Sequence, residues 1–309
     1  MSKYESAKER SFYFIGVTTG QSSIMRVFPK WAAALGIEAV IKGIDLPPHS
    51  PDADYREAAA FIRDDPLSAG ALVTTHKIDL YRACRDMFDY VDPYADRLGE
   101  VSSLSKRGGQ FRAHAKDPVS SGMSLAEFVP AGYWEERGGE ALIIGAGGSA
   151  LAMSLYLTRA EAGGDVPRRV TIANRSAPRL ESAKAALDGA APAGAIRYVH
   201  GPSPDDNDRL VAELPPHSLI VNATGLGKDA PGSPTTDGVV FPEDSFVWEI
   251  NYRGDLVFMR QALAQAETRR LRVEDGWRYF IHGWTQVISE VFDVAIGRDV
   301  LARLSEIAK

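Results

Sequence analysis

One cysteine, Cys84, stands in 309 residues. That excludes a disulfide framework and any clustered-thiolate metal site, and a reducing cytoplasmic setting is expected. No apolar run approaches the ~20 residues that a membrane helix needs. The N-terminal stretch MSKYESAKERSFYFIG is charged before its apolar segment, which is too short for the core of a signal peptide. No block of like charge is long enough to form a tail. The formal net charge of −6 argues against a partner built on a phosphate backbone, so neither nucleic acid nor membrane is expected as a partner. No His-x-x-x-His spacing occurs, and His114 and His282 lack local acids that would complete a metal signature, so no metal is expected. Short-period repeats and low-complexity tracts are absent as well.

What is present is an apolar fraction of 45%, enough to bury a core, in a chain long enough for two domains. FYFIGV (12–17), EAVIKGIDL (38–46) and GALVTT (70–75) are strand-like. The segments between them, SSIMRVFPKWAAALG and DADYREAAAFIRDD, have helical spacing. Such alternation predicts βαβ units and a largely parallel sheet. After residue 77 the stripe Ile78, Tyr81, Cys84, Met87, Phe88 and Val91 predicts a helix, with Cys84 as a core thiol. VSSLSKRGGQFRAHAKD (101–117) predicts a hairpin turning at Gly108-Gly109. A second pattern begins near residue 138, where strand, glycine turn and helix run to Ala160. The strand-like segments RRVTIANR (168–175), SLIVNATG (218–225) and FVWEINY (246–252) follow, and the closing residues are helix-rich. Trp277, Tyr279, Phe280 and Trp284 are expected to pack rather than to stack on a ligand.

GAGGSA (145–150) has the form G-x-G-x-x-A after an apolar strand and at the start of a helix, the context in which it signals dinucleotide binding. Gly145 permits the tight turn, Gly147 lets the backbone approach a pyrophosphate, and Ala150 allows the helix to pack closely on the sheet. Gly148 and Ser149 stand at the helix N-terminus, whose free N–H groups and dipole favour phosphate. An NAD site places an acid at the end of the following strand. Here that strand ends in Asn174, Arg175, Ser176 and Arg179, and guanidinium groups suit a 2′-phosphate. NADP is therefore expected as cofactor, in preference to NAD. Asn222, Ala223 and Thr224, in VNATGLG, end a third strand where the nicotinamide half would lie.

The order of these motifs resembles the shikimate/quinate dehydrogenase family over nearly the whole chain. VTTHK resembles that family's VTxPxK-like strand end, which puts Lys77 on the catalytic lysine. AKDP resembles its NTDG-like segment, which puts Asp117 on the lysine's partner. GAGGSA, NRSAPR and VNATG resemble its cofactor segments, EINY puts Tyr252 on its tyrosine, and YFIHGWTQVISEVF offers Gln286, with His282 or Gly283 as alternatives, for its glutamine. The resemblance implies an α/β protein of two domains. Residues 1–125 would form an α/β substrate domain and 126–254 a Rossmann-type NADP-binding domain. Residues 255–309 would return as helices to the substrate domain, with the active site in the cleft between the two. The chemistry fits these roles. Ketone reduction by hydride leaves alkoxide charge that must receive a proton, and an ammonium oriented by a carboxylate can supply it.

Departures from the family pattern concentrate on substrate recognition. The serine-containing segment is GQSSIMRVFPKW, where Ser22 takes the place of the first serine and Ile24 that of the second. Ser102 stands for the asparagine of GAVNT, followed by Ser103. Leu72 replaces the asparagine of NVT, and Ala115 that of NTD. Ser22, Thr74, Ser102, Ser103, Tyr252 and Gln286 are the substrate-binding candidates. Losing hydrogen-bonding groups at such positions implies a changed substrate. The expectation is an NADP-dependent oxidoreductase acting on a cyclic hydroxy or keto compound, a polyol or a ketone, as a monomer or homodimer. The alternatives are a shikimate or quinate dehydrogenase whose pocket uses Ser102, Ser103, Thr18 and Gln21, a catalytically silent NADP or metabolite sensor, and a methylenetetrahydrofolate dehydrogenase. NRSAPR and VNATG oppose the last of these. His76 and His114, which precede the two catalytic candidates, are read equally as cleft or packing residues.

Overall fold

The structure is a computed structural model that describes residues 3–159, 162–228 and 230–309; the expected helix end at Ala160 lies outside them. The chain forms two compact units, Met1–Lys116 with Gly283–Lys309, and Asp117–His282. The boundaries drawn from sequence stand at 125/126 and 254/255.

In chain order the first unit contains β1 (Ser11–Gly16), α1 (Ile24–Leu35), β2 (Val40–Asp45), α2 (Asp52–Asp64), β3 (Ser68–Val73), α3 (Lys77–Cys84), β4 (Tyr90–Val91), α4 (Pro93–Leu98), β5 (Ser103–Arg107) and β6 (Gln110–His114). Its six-stranded sheet has the order β2-β1-β3-β5-β6-β4. β1 lies between β2 and β3, parallel to both, and β5 joins β3 antiparallel. Every residue of β1 and β3 is buried, which is why these strands read as continuous apolar runs rather than alternating ones. The β5–β6 hairpin turns on Gly108 and Gly109, both with positive φ (60° and 76°), the geometry a two-residue turn requires.

The second unit contains α5 (Asp117–Ala126), α6 (Tyr133–Arg137), β7 (Ala141–Ile144), α7 (Gly148–Leu157), β8 (Val170–Asn174), α8 (Ala177–Leu187), β9 (Ile196–His200), α9 (Pro204–Ala212), β10 (Leu219–Asn222), β11 (Phe246–Glu249), α10 (Val257–Leu263), α11 (Ala266–Arg269) and β12 (Arg272–Glu274). Its sheet has the order β12-β11-β10-β7-β8-β9, with every pairing parallel. Read from β9, that is the doubly wound 3-2-1-4-5-6 order, with its topological switch between β7 and β10. Edge strands β9 and β12 were not anticipated. The short β12 has an exposed and two half-buried residues and β9 is nowhere buried, so neither carries a strong apolar signal.

α12 (Trp277–Phe292) and α13 (Arg298–Ala308) close the chain. Within the first unit, α13 is tied to α1 by the buried Trp31 indole, whose Nε1–H donates to the Leu304 carbonyl at 2.8 Å. Full burial of a side chain of this size stabilises by about 2–3 kcal/mol. Among the described residues no helix is long and apolar enough to cross a membrane, and no group of His, Cys, Asp or Glu is placed to hold a metal.

Candidate functional site

β7 ends at Ile144, and the chain turns through Gly145 with φ +124°, a conformation that L side chains rarely adopt. A Cβ at Gly145 would stand 2.5 Å from the Ala223 carbonyl oxygen, so this turn and the one after β10 touch backbone to backbone. A Cβ at Gly147 would meet nothing within 4 Å. Gly147 borders a cavity of about 420 Å³, and no side chain caps the first turn of α7. Gly148 opens the helix and Ala150 is wholly buried on its inner face.

Arg175 and Arg179 also line this cavity. Ser176 begins α8 by accepting the Arg179 backbone N–H at 3.4 Å, which sets one arginine on each side of the cap; the Asn174 amide reaches the Ser176 carbonyl at 3.5 Å. Ala223 and Thr224 form a third wall. Asn222, buried beneath it, accepts the Thr224 backbone N–H at 3.0 Å and the Thr224 hydroxyl at 2.6 Å. A fourth wall was not read from sequence. It runs from Gly201 to Asn207 at the start of α9, where Ser203 and Asp206 cap each other's backbone. A glycine edge open to the cavity, an uncapped helix N-terminus and two guanidinium groups suit a phosphate-bearing dinucleotide.

Two further groups in this unit carry polar networks. Asp117, buried at the start of α5, receives the Tyr279 hydroxyl at 3.2 Å, and the same hydroxyl lies 3.1 Å from the Ser149 hydroxyl. Tyr279 was expected only to pack; an aromatic in an apolar helix stripe gives no sign that its hydroxyl is used. Glu249, at the end of β11, is fully buried. Burial pushes its carboxyl up to about 7, against three N–H donors from Asn222 and Asn251 that favour the charged form. Tyr252 packs on Phe280 and Trp277, with ring centroids 4.7 and 5.8 Å away.

In the first unit Thr74, Lys77, Ser102 and Ser103 lie at the carboxyl end of β3. Lys77 is the first residue of α3, and its carbonyl accepts the Val101 N–H at 3.1 Å, while the Val73 N–H donates to the Ser102 carbonyl at 2.9 Å. Thr74, half-buried, donates its hydroxyl to the Ile15 carbonyl at 3.4 Å. The Ser102 hydroxyl accepts the Lys116 N–H at 2.7 Å and so shapes the chain that enters Asp117; Ser103 is wholly buried. Ser22 follows the short 3-10 turn Thr19–Gln21, with its N–H on the Thr19 carbonyl at 3.0 Å, and Gln286 is half-buried on α12. Glu100, buried beside Val101, was missed, because a lone glutamate in a loop reads as surface.

His76 and His114, the two histidines beside the catalytic candidates, are both buried. His76 is buried with its Nδ1 3.0 Å from the Tyr55 hydroxyl, and burial holds it below the ordinary imidazole value. His114 is lowered to about 4 by burial, although Glu290 lies 3.3 Å away, because the Lys116 ammonium at 2.7 Å is that carboxylate's closer cation. Burial pushes the Cys84 thiol up to about 12, which leaves it inert as a nucleophile.

No protein-family model matches the chain. It is 31% identical over 257 residues to shikimate dehydrogenase (NADP(+)) of Symbiobacterium thermophilum, covering 81% of this chain and 78% of that protein. In fold it is similar to quinate dehydrogenase from Corynebacterium glutamicum in complex with NAD, with a TM-score of 0.73, 18% identity and coverage of 97% and 98%. It is also similar to shikimate 5-dehydrogenase from Thermus thermophilus in complex with NADP(H) and shikimate, with a TM-score of 0.70, 21% identity and coverage of 97% and 99%. On these similarities the chain belongs to the shikimate dehydrogenase family.

Proposed function

We propose that this protein is an NADP-dependent oxidoreductase that interconverts a cyclic secondary alcohol and its ketone. The observation that carries the cofactor half is the cavity above β7 and β8. Gly147, Arg175 and Arg179 all line it, a Cβ on Gly147 would meet nothing within 4 Å and no acid ends β8, which supports a pyrophosphate and a 2′-phosphate there. The bound cofactor supplies or accepts the hydride. Gly145 to Ser149 hold the phosphates through backbone N–H groups, the Asn222–Thr224 turn orients the nicotinamide half, and Arg175 and Arg179 select for the 2′-phosphate.

Lys77 is the proton donor and acceptor for the substrate oxygen, with Asp117 as its carboxylate partner. Their support is the match of VTTHK and AKDP to the family's catalytic segments, together with Lys77's place at a strand's carboxyl end and Asp117's hydrogen bond from Tyr279. Thr74, Ser102, Ser103, Ser22, Tyr252 and Gln286 are the substrate-recognition candidates.

The substrate is one with fewer recognised oxygens than shikimate. Leu72 and Ala115 are buried apolar residues where the family carries asparagines, and the Ser102 hydroxyl is engaged by the Lys116 backbone. A second reading, turnover of shikimate or quinate themselves, is favoured by the similarity to proteins named shikimate dehydrogenase and quinate dehydrogenase. The test is reduction of NADP⁺ and, separately, NAD⁺ against shikimate, quinate, aminoshikimate and related cyclitols, with Lys77→Ala as control. A member with fewer hydroxyls than shikimate is added to test the reduced recognition. Turnover of a panel member other than shikimate or quinate, lost in the variant, supports an oxidoreductase with a changed substrate, and efficient shikimate turnover supports the second reading. Silence across a broad panel with intact NADP binding points to a sensor.

A further inference from the structure

We propose that Glu249 is a positioning residue for the cofactor-binding turn and that it acts through the orientation of the Asn222 side-chain amide. This rests on the reading of that turn as part of a dinucleotide site.

The geometry leaves the amide one orientation. The Asn222 oxygen accepts the Thr224 backbone N–H at 3.0 Å and the Thr224 hydroxyl at 2.6 Å, and a backbone N–H can only donate. The amide nitrogen must then face Glu249, and it donates to Oε2 at 2.6 Å. Oε1 accepts the Asn251 backbone N–H at 2.9 Å and its amide N–H at 2.6 Å. Asn251 reaches back to the Thr224 and Leu226 carbonyls at 3.4 and 3.3 Å. Among the described residues, the three groups that hydrogen-bond this carboxyl are all donors, which suits the carboxylate. A protonated Oε2 would place O–H against N–H. Turning the amide to relieve that contact would put its nitrogen against the two Thr224 donors and release the turn.

Among the described residues, Lys228 is the charged side chain that acts on Glu249; it stands on the same turn and favours the carboxylate. Strands β7 and β10 bring no titratable side chain, and Arg260 of α10 is exposed. Glu274 of β12 is directed to Arg278 at 3.3 Å and Asp275 to the Trp277 N–H at 2.9 Å. Complete burial opposes them, so the carboxyl changes charge near neutral pH. Cofactor affinity is thereby coupled to the protonation of a group beneath the site.

The test is NADP⁺ binding to the full chain by calorimetry between pH 5.5 and 8.5, with wild type and Glu249→Gln side by side. The ligand's 2′-phosphate titrates at about pH 6, so the quantity read is the ratio of the two Kd values at each pH. A ratio near one at pH 5.5, where the wild-type carboxyl is also neutral, rising to about tenfold at pH 8.5, is expected. A ratio that stays constant across the range overturns the proposal. Should Glu249→Gln fail to fold by circular dichroism, Asn222→Ala is compared with wild type in the same way and must give the same rise; a constant ratio there overturns the proposal equally. Failure of the wild type to bind NADP⁺ at any pH removes the dinucleotide reading and this inference with it, an outcome distinct from a constant ratio.

Discussion

The Tyr279 hydroxyl donates to the Asp117 carboxylate at 3.2 Å while lying 3.1 Å from the Ser149 hydroxyl. A residue of α12 thus joins the proposed catalytic carboxylate to the glycine turn of the dinucleotide motif, inside one compact unit. Tyr279→Phe keeps the ring's packing on Trp248, whose centroid lies 5.8 Å away, and removes only the hydroxyl. The expected result is a loss of roughly tenfold in kcat, the scale of one hydrogen bond to a charged group, with Tm little changed. Steady-state kinetics and thermal melts on the same preparation check it.

Lys77→Met removes the proposed proton donor at the first position of α3 while keeping helix propensity. Activity is expected to fall by ~10²–10⁴-fold with the Kd for NADP⁺ unchanged. Equal activity in the variant would remove Lys77 from the mechanism.

Arg175 and Arg179 both line the proposed dinucleotide cavity and are exposed. Arg175→Ala or Arg179→Ala is expected to weaken NADP⁺ binding about tenfold and to leave NAD⁺ binding within about twofold, because only the 2′-phosphate contact is lost. Parallel titrations with the two cofactors decide it. A uniform loss for both would assign the arginines to general phosphate binding.

Gly145→Ala places a methyl group 2.5 Å from the Ala223 carbonyl oxygen at a φ of +124°. The expected cost is about 2–4 kcal/mol of stability, seen as a lowered Tm, with weakened cofactor binding. Gly147→Ala, whose added carbon meets no protein atom within 4 Å, is expected to leave Tm intact and weaken only the cofactor.

His114 is lowered to about 4 in the folded protein, against an ordinary value near 6.5. Between these values the unfolded chain binds more protons than the folded one. The stability that depends on neutral His114 is therefore complete above pH 6.5 and is lost as pH falls towards 4. His114→Gln, neutral throughout, is expected to reduce the acid-side loss of stability by about 1–3 kcal/mol. Denaturant unfolding of both proteins at pH 4.5 and 7 measures the difference.

Much of the fold was legible because its strongest signals are local. FYFIGV, ALII and LIVN are apolar runs of strand length, and the Gly108-Gly109 turn requires the positive φ that two glycines supply. GAGGSA and NRSAPR carry their meaning in consecutive residues, since a helix N-terminus and its flanking glycines are contiguous by construction. β9 and β12 escaped because edge strands need no continuous apolar face, and the α9 wall of the cavity escaped because a capped helix start does not announce which cavity it borders.

The sequence by itself determined the α/β alternation, the glycine turn and the absence of an acid at the end of β8, since each follows from residue type at short spacing. Only the tertiary structure decided which polar residues are occupied and by what. The Ser102 hydroxyl is bound by Lys116, fourteen residues on; Tyr279 meets Asp117 across 162 positions; and Glu249 takes the Asn222 amide across 27. Hydrogen-bond partnership and desolvation depend on what the fold brings within about 3 Å, and no local pattern encodes that distance.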